Sequence, residues 1–171
     1  MLPTSVDVVH AVALGYPVAT AKPLVVTIHD LGPLTHPEFF SHNRPWVMRS
    51  ALKQAATKAD AIICISHSTA DEVRSICKQP LEDRLHVIHS GVSSGFFLDH
   101  ISRPPVDLDF LEAGVPYILT AGKISPRKNV QGVMKALKIA LRELPHHLVV
   151  TGGAGWDEAS IMSVLDDSDL R

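Results

Sequence analysis

Short apolar runs alternate with helix-like segments along almost the whole chain, and this alternation most narrows the possible folds. The runs predict strands at residues 6–9, 24–28, 61–65, 85–88, 116–121 and 147–151. Helical spacing of apolar residues predicts helices at 45–59, after a cap at Ser66 or Ser68, at 129–142 and up to about Leu165. Strands that are apolar on both sides are typical of parallel sheets covered by helices. The pattern therefore predicts an α/β fold with Rossmann-like parallel sheets and helices on both faces.

One stretch interrupts the alternation. Residues from about 98 to 114 are rich in proline and acidic side chains and lack periodicity, which predicts a connector. The predicted organisation is a first domain at 1–98, a connector at 99–114 and a second domain at 115–171. The second domain has only two predicted strands, too few for an independent sheet. We therefore expect a truncated second domain and a larger parent protein.

Composition and charge exclude several classes of protein. Of 171 residues, 46% are hydrophobic and 20% charged, and the net charge of −2 gives no basic excess for binding nucleic acid. No apolar run approaches the roughly 20 residues that span a bilayer, and no signal peptide opens the chain. Cys64 and Cys77 lack redox or zinc spacing and are expected to be small buried side chains in a reducing compartment, the cytoplasm.

The ten histidines do not predict a metal site. His86 and His89 flank a strand, where positions three apart point to opposite faces. His146 and His147 are adjacent, and no cysteine or carboxylate completes a ligand set around them. We expect neither a bound metal nor another cofactor.

The turn after the strand at 116–121 concentrates positive charge. Gly122 ends the strand, and Lys123, Arg127 and Lys128 precede the next helix. A helix N-terminus is already electropositive, so cations there cost stability unless an anion sits among them. A diphosphate would be such an anion. The plain alternative is a solvated basic loop, and the turn alone does not separate the two.

Small or polar residues also follow the other predicted strands. The candidates lining a cleft at these ends are His10, Asp30, Ser66, Gly91 and Gly152, together with His29. Ligands of open parallel sheets bind beyond the carboxyl ends of the strands. Each residue has a plain structural alternative, since Asp30 could start a turn, Ser66 could cap a helix and His29 could bond to backbone. Together they favour one shared cleft.

Four segments resemble consecutive blocks of glycosyltransferase family 4. They are residues 25–31, 59–66, 87–92 and 118–129, and the resemblance extends from about Val6 to about Gly155. It implies a retaining enzyme of the two-domain GT-B fold that uses a sugar nucleotide. Segments 36–38 and 126–129 look closest to members that transfer mannose or a similar hexose in polysaccharide or glycolipid assembly.

The resemblance also implies roles for single residues. His29 matches the histidine near the reacting sugar and is the implied catalytic residue. Gly122 and Lys128 match the donor-phosphate site, Lys123 stands where the family usually has arginine, and Arg127 is their neighbour. Fixed cations would stabilise a nucleoside-diphosphate leaving group without a metal.

The implied partners are a nucleoside-diphosphate sugar donor and a carbohydrate or lipid-linked acceptor. The implied location is the cytoplasm, with peripheral contact at the inner face of the membrane in the full-length parent. The family's glycine-rich loop would precede Met1 and its glutamate pair would follow Arg171, so the isolated chain is expected to be inactive. Two alternatives stay open: a GT-B sugar-nucleotide epimerase or phosphorylase, and a non-catalytic module that binds a nucleotide or a partner protein.

Overall fold

The chain forms two compact units, Met1–Leu98 and Asp99–Arg171. The structure is a computed structural model that describes residues 6–40, 45–97, 114–140 and 144–153, with Gly155 and Ser163. Almost all of the predicted connector at 99–114, and the final helix predicted to end near Leu165, lie outside the described residues. The units are called unit 1 and unit 2 below, and each is described by itself.

Unit 1 contains a four-stranded, fully parallel sheet. Its strands, in the spatial order β1-β2-β3-β4, are Val9–Ala11, Leu24–Ile28, Ala61–Cys64 and Leu85–Val87. Its helices are α1 (Gly32–Thr35), α2 (Pro45–Lys58) and α3 (His67–Cys77), with 3-10 segments at Pro37–Phe39 and Ser94–Phe96. The predicted α/β class and parallel strands are therefore confirmed.

The core of unit 1 lies between the sheet and helices α2 and α3. Every second residue of β2 is buried against them, as are Ile62 and Cys64 of β3. The buried helix residues in this cluster are Ala51, Leu52, Ala55, Ala56, Ala70 and Val73. Right-handed crossovers between parallel strands that advance in one direction place successive helices on the same face. Both long helices of unit 1 accordingly pack on one face of the sheet.

The start of α3 shows which predicted cap is used. Ser66 has an extended backbone, and its Oγ accepts a hydrogen bond from the Thr69 N–H at 3.1 Å. The capping pair expected for Ser68 and Asp71 does not begin the helix, because both residues lie inside it. The helix ends where Lys78 takes a left-handed conformation, with φ of 51°.

In the part of unit 2 that the structure describes, two parallel strands accompany one long helix. The strands are β5 (Tyr117–Ala121) and β6 (His147–Thr151), and the helix is α4 (Val130–Ala140), which a 3-10 segment at Pro126–Lys128 precedes. The core is formed by Ile124, Val130 and Met134, against which Leu148 and Val150 pack. Tyr117 and Leu119 on β5 remain 48% and 58% exposed.

The first strand begins later than the sequence pattern indicates. The prediction was 6–9, but the strand is Val9–Ala11, because Val9 pairs with Leu24 at the first residue of β2. Backbone pairing, rather than the apolar run, therefore sets its start. The prediction that His10 follows this strand was wrong, because His10 is its middle residue.

Candidate functional site

His29 stands at the carboxyl edge of the unit 1 sheet. It follows β2 directly, its side chain is exposed, and its Nε2 lies 2.9 Å from the backbone carbonyl oxygen of Val12, just after β1. A carbonyl oxygen only accepts, so Nε2 donates and carries the proton. In the neutral ring Nδ1 is then the nitrogen with a free lone pair. The His29 carbonyl in turn accepts from the Thr69 hydroxyl at 3.2 Å.

Asp30 and Ser66 have the local roles that the sequence left open. The Asp30 carboxylate accepts from the Gly32 N–H at 2.9 Å, which shapes the turn into α1. Ser66 caps α3, and its Oγ also lies 3.0 Å from the Thr69 hydroxyl. Both residues lie at the same sheet edge as His29. Their side chains organise the backbone there.

Sequence reasoning missed His89 as a residue of this edge. His89 lies two residues after β4, and its Nδ1 is 3.0 Å from the carbonyl oxygen of Ile65. Its ring meets the ring of His67 in a T-shaped contact, with centroids 5.9 Å apart. Position after a strand was the available signal, but His89 was considered only as a metal ligand.

Two other cleft candidates have different surroundings. His10 lies on the sheet, where its Nε2 is 2.8 Å from the hydroxyl of the buried Thr27, so it is not part of the edge. Gly91 is exposed, and a Cβ added to it would meet no atom within 4 Å. Gly91 thus leaves open space after β4. The shared cleft predicted from all the strand ends stays a prediction, since those ends belong to both units.

In unit 2 the turn after β5 places an ammonium group over a glycine. Gly122 has φ of +130°, and its N–H donates to the Thr151 carbonyl at 2.8 Å. A Cβ added to Gly122 would lie 3.1 Å from Cε and 3.6 Å from Nζ of Lys128. The structure therefore brings together two of the residues predicted to bind the donor phosphate.

Gly152 supports this turn from the neighbouring strand. It follows β6 with φ of +144°, and a Cβ added to it would overlap the carbonyl oxygen of Gly122. The next residue, Gly153, accepts a hydrogen bond from the Ile124 N–H at 3.2 Å. Gly152 thus permits a close backbone approach behind the turn.

All three cations of the turn are exposed to solvent. Lys123 precedes the 3-10 segment, Arg127 and Lys128 lie in its last turn, and Asn129 leads into α4 with φ of 49°. Within the described ranges, no carboxylate forms a salt bridge with these three cations. Three positive charges therefore lie just before the electropositive N-terminus of an 11-residue helix, where an anion would be stabilised.

The two cysteines resemble packing residues more than reactive ones. Cys64 is fully buried in the core, and burial raises the pKa of its thiol to about 11. Cys77 is half-buried, and burial raises its pKa as well. Among the described residues, no three His, Cys, Asp or Glu side chains come close enough to hold a metal ion. In the same part of the chain no helix is long and apolar enough to cross a membrane.

Comparison with known proteins finds a family model and a curated relative. Residues 3–95 match the model described as Glycosyltransferase Family 4, a range that includes every strand of unit 1 and the edge with His29. O-antigen chain mannosyltransferase B from Escherichia coli is 27% identical over 149 residues. The alignment covers 83% of this chain and 38% of that protein, so the chain spans well under half of the relative's length.

Proposed function

The chain belongs to glycosyltransferase family 4, and on that premise we propose that it works in transferring a hexose from a nucleoside-diphosphate sugar to an acceptor hydroxyl. The observation that carries the proposal is the turn of unit 2. There the ammonium of Lys128 lies over Gly122, in front of the N-terminus of α4. The products would be a glycosylated acceptor and a nucleoside diphosphate, with the sugar's anomeric configuration retained.

The donor half of the reaction needs positive charge where the leaving group forms. Negative charge grows on the diphosphate as the bond to the sugar breaks, and preorganised cations stabilise it. Lys128 and Lys123 would supply point charges, with Arg127 as a neighbour, and Gly122 lets a phosphate approach the backbone. This arrangement requires no metal ion and no other cofactor. Arginine would offer a bidentate fork at position 123, so lysine there fixes the phosphate less tightly.

On the acceptor side, we assign the catalytic role near the reacting sugar to His29. Its ring is held by the Val12 carbonyl through Nε2, which leaves Nδ1 of the neutral ring free to accept a hydrogen bond. The relative's name supports mannose as the transferred sugar and polysaccharide or glycolipid assembly as the process. The acceptor would accordingly be a carbohydrate, free or lipid-linked.

We place the protein in the cytoplasm, in peripheral contact with the inner face of the membrane through α2. Trp46 is 69% exposed, and Arg49 and Lys53 follow it at three and seven residues, on the same side of the helix. Both cations also border a groove whose floor includes Leu52 and Ile76. Tryptophan suits the membrane interface and cations attract anionic headgroups, so this stripe matches a negatively charged bilayer.

The first test is a calorimetric titration of the purified chain with GDP, UDP and NAD at low salt. We expect a nucleoside diphosphate to bind. Lys128→Ala should lower its affinity by about 10- to 150-fold, since a hydrogen bond to a charged group contributes roughly 1.5–3 kcal/mol. Lys135→Ala is the matched control, because Lys135 is exposed on α4 beyond the turn. Unchanged affinity in Lys128→Ala, or no binding of any nucleotide, would contradict the donor site.

The same series separates the competing functions. A partner-binding module without a nucleotide site predicts no loss in Lys128→Ala. An epimerase or phosphorylase would bind the nucleotide or phosphate but release free epimerised sugar or sugar phosphate. Glycosylation of an added acceptor by the full-length parent, since the isolated chain is expected to be inactive, distinguishes the transferase from both.

A further inference from the structure

Two histidines of unit 1 are anchored in the same way. His29 follows β2 and bonds to the carbonyl of Val12, after β1. His89 follows β4 and bonds to the carbonyl of Ile65, after β3. In each case the histidine follows one strand, and its ring forms a hydrogen bond with a backbone carbonyl just after the end of the preceding strand. Both anchors lie at the carboxyl edge, where ligands of parallel sheets bind.

The anchors determine which ring nitrogen carries the proton. The Ile65 carbonyl can only accept, so Nδ1 of His89 is the donor. Nε2 of His89 is then unprotonated in the neutral ring and can accept a hydrogen bond. For His29 the two nitrogens exchange roles, because Nε2 is the donor to Val12. Each exposed ring therefore offers one acceptor nitrogen of known identity.

The positions of these rings suit a ligand with several hydroxyl groups. Neighbouring strands lie about 4.8 Å apart, so the exits of β2 and β4 are separated by roughly 10 Å. Ser66 and His67, at the exit of β3, lie between them. A T-shaped contact with the His67 ring, with centroids 5.9 Å apart, also restrains the His89 ring. Two histidine rings anchored at strand exits with this spacing match the reach of a small saccharide.

We propose that His89 binds a hydroxyl group of the carbohydrate acceptor, with Nε2 accepting the hydroxyl hydrogen. The proposal rests on the function proposed above and adds a residue to its acceptor side. The role is binding and orientation, since no proton is transferred. Because a hydroxyl both donates and accepts, a neutral imidazole suits it without favouring an anionic ligand.

Two substitutions test the two ring nitrogens of His89 separately. His89→Asn retains a donor near the Nδ1 position for the Ile65 carbonyl but removes Nε2. His89→Gln places a polar amide near the Nε2 position and loses the short anchor. His86→Asn is the matched control, because His86 is an exposed histidine within β4 itself.

The test is long-range nitrogen–proton NMR of the imidazoles in the 171-residue chain, titrated with an α-linked mannobiose. We expect His89 to be protonated on Nδ1 and His29 on Nε2, and the Nε2 resonance of His89 to shift on binding. His89→Asn should lower the affinity for the disaccharide by about two- to tenfold, which is the contribution of one neutral hydrogen bond. His86→Asn should leave this affinity unchanged. His89→Gln should recover part of the loss.

Three results would overturn the proposal. They are protonation of His89 on Nε2, absence of disaccharide binding, and equal affinity for the wild type and His89→Asn. If His89→Asn does not fold, as judged by its amide spectrum, the wild-type chain decides in its place, because an Nε2 resonance of His89 that does not shift on disaccharide binding also overturns the proposal. Failure here is distinct from failure of the transferase proposal, because nucleotide binding at Lys128 is read in unit 2.

Discussion

At the residue scale, two glycines form the turn of unit 2 by leaving space for backbone. Gly152 lies against the carbonyl of Gly122, and Gly122 lies under the Lys128 side chain. Both have positive φ angles that other residues adopt only with strain. The turn therefore depends on the lack of a side chain at Gly122 and Gly152 as well as on the ammonium group of Lys128.

We expect Gly152→Ala to destabilise unit 2 and to weaken nucleotide binding. The added Cβ would overlap the Gly122 carbonyl, and a strained backbone conformation alone costs about 1–3 kcal/mol. Amide hydrogen exchange of β5 and β6 measures the stability, and the calorimetric titration measures the affinity. Gly153→Ala is the control, since its Cβ would meet nothing within 4 Å. Equal exchange rates in the two variants would contradict this account of the turn.

Cys64 should resist alkylation in the folded chain. It is buried, and its pKa is raised from 9.0 to about 11, so the reactive thiolate is scarce at pH 8. Mass spectrometry after timed iodoacetamide treatment should show modification of the half-buried Cys77 first, and of both residues in denaturant. Equal native rates would contradict the burial of Cys64.

The same raised pKa predicts how stability changes with pH. The folded state holds the Cys64 proton more tightly than the unfolded state, so the associated stability is complete below pH 9 and is lost as pH rises towards 11. Urea denaturation across this window should show a smaller decline of the unfolding free energy in Cys64→Ala than in the wild type. A parallel decline would exclude Cys64 as the cause.

At the element scale, α3 depends on its cap and α2 carries an exposed stripe. The cap also secures the sheet edge, because Thr69 bonds both to Ser66 and to the His29 carbonyl. The start of α3 and the position of His29 are therefore coupled through one threonine.

Ser66→Ala should lower the unfolding free energy of unit 1 by about 0.5–2 kcal/mol, the usual cost of losing an N-cap. Ser68→Ala is the informative control, since Ser68 is exposed inside α3 and alanine favours a helix there. Urea denaturation of both variants measures the difference. If Ser68→Ala were the more damaging change, the capping pair with Asp71 would be the real start signal.

The exposed stripe of α2 predicts binding to anionic vesicles. Arg49→Gln/Lys53→Gln should weaken binding to phosphatidylglycerol vesicles by about 30-fold, since each cation near such a surface contributes about 1 kcal/mol. Trp46 fluorescence in a Trp156→Phe background reports insertion. Lys22→Gln/Lys135→Gln removes the same charge at other exposed positions and should bind nearly as the wild type does. Equal losses in both double variants would show that net charge, rather than the stripe, drives binding.

At the scale of the whole molecule, three consecutive apolar residues of β5 in unit 2 are exposed to solvent. Unit 1 packs two long helices against four strands, whereas α4 packs against the two strands described for unit 2. Tyr117, Ile118 and Leu119 remain between 37% and 58% exposed. Exposed apolar surface of this kind favours association.

We expect the chain to self-associate through β5 as its concentration rises. Tyr117→Thr/Leu119→Thr should reduce this association in sedimentation velocity while keeping strand propensity. Val92→Thr, at a residue 61% exposed in unit 1, should leave association unchanged. A wild-type chain that stays monomeric throughout the series would contradict the expectation.

The local pattern of the predicted phosphate site has a counterpart in the structure, while its binding role stays a prediction. The cations of 123–128 and the glycine before them were visible as a pattern, and the turn indeed places Lys128 over Gly122. His29 was found because it directly follows an apolar run. His89 was missed as an edge residue because its significance lies in a bond to Ile65, which is 24 residues away.

The sequence alone determined the α/β class, the parallel strands and most helix positions, because burial requires apolar side chains at the period of each element. Only the tertiary structure decided where β1 starts, which serine caps α3 and which face α2 and α3 share. These depend on which strands pair and in what order. Periodicity within one segment does not encode that order, so contacts between segments distant in the chain had to settle it.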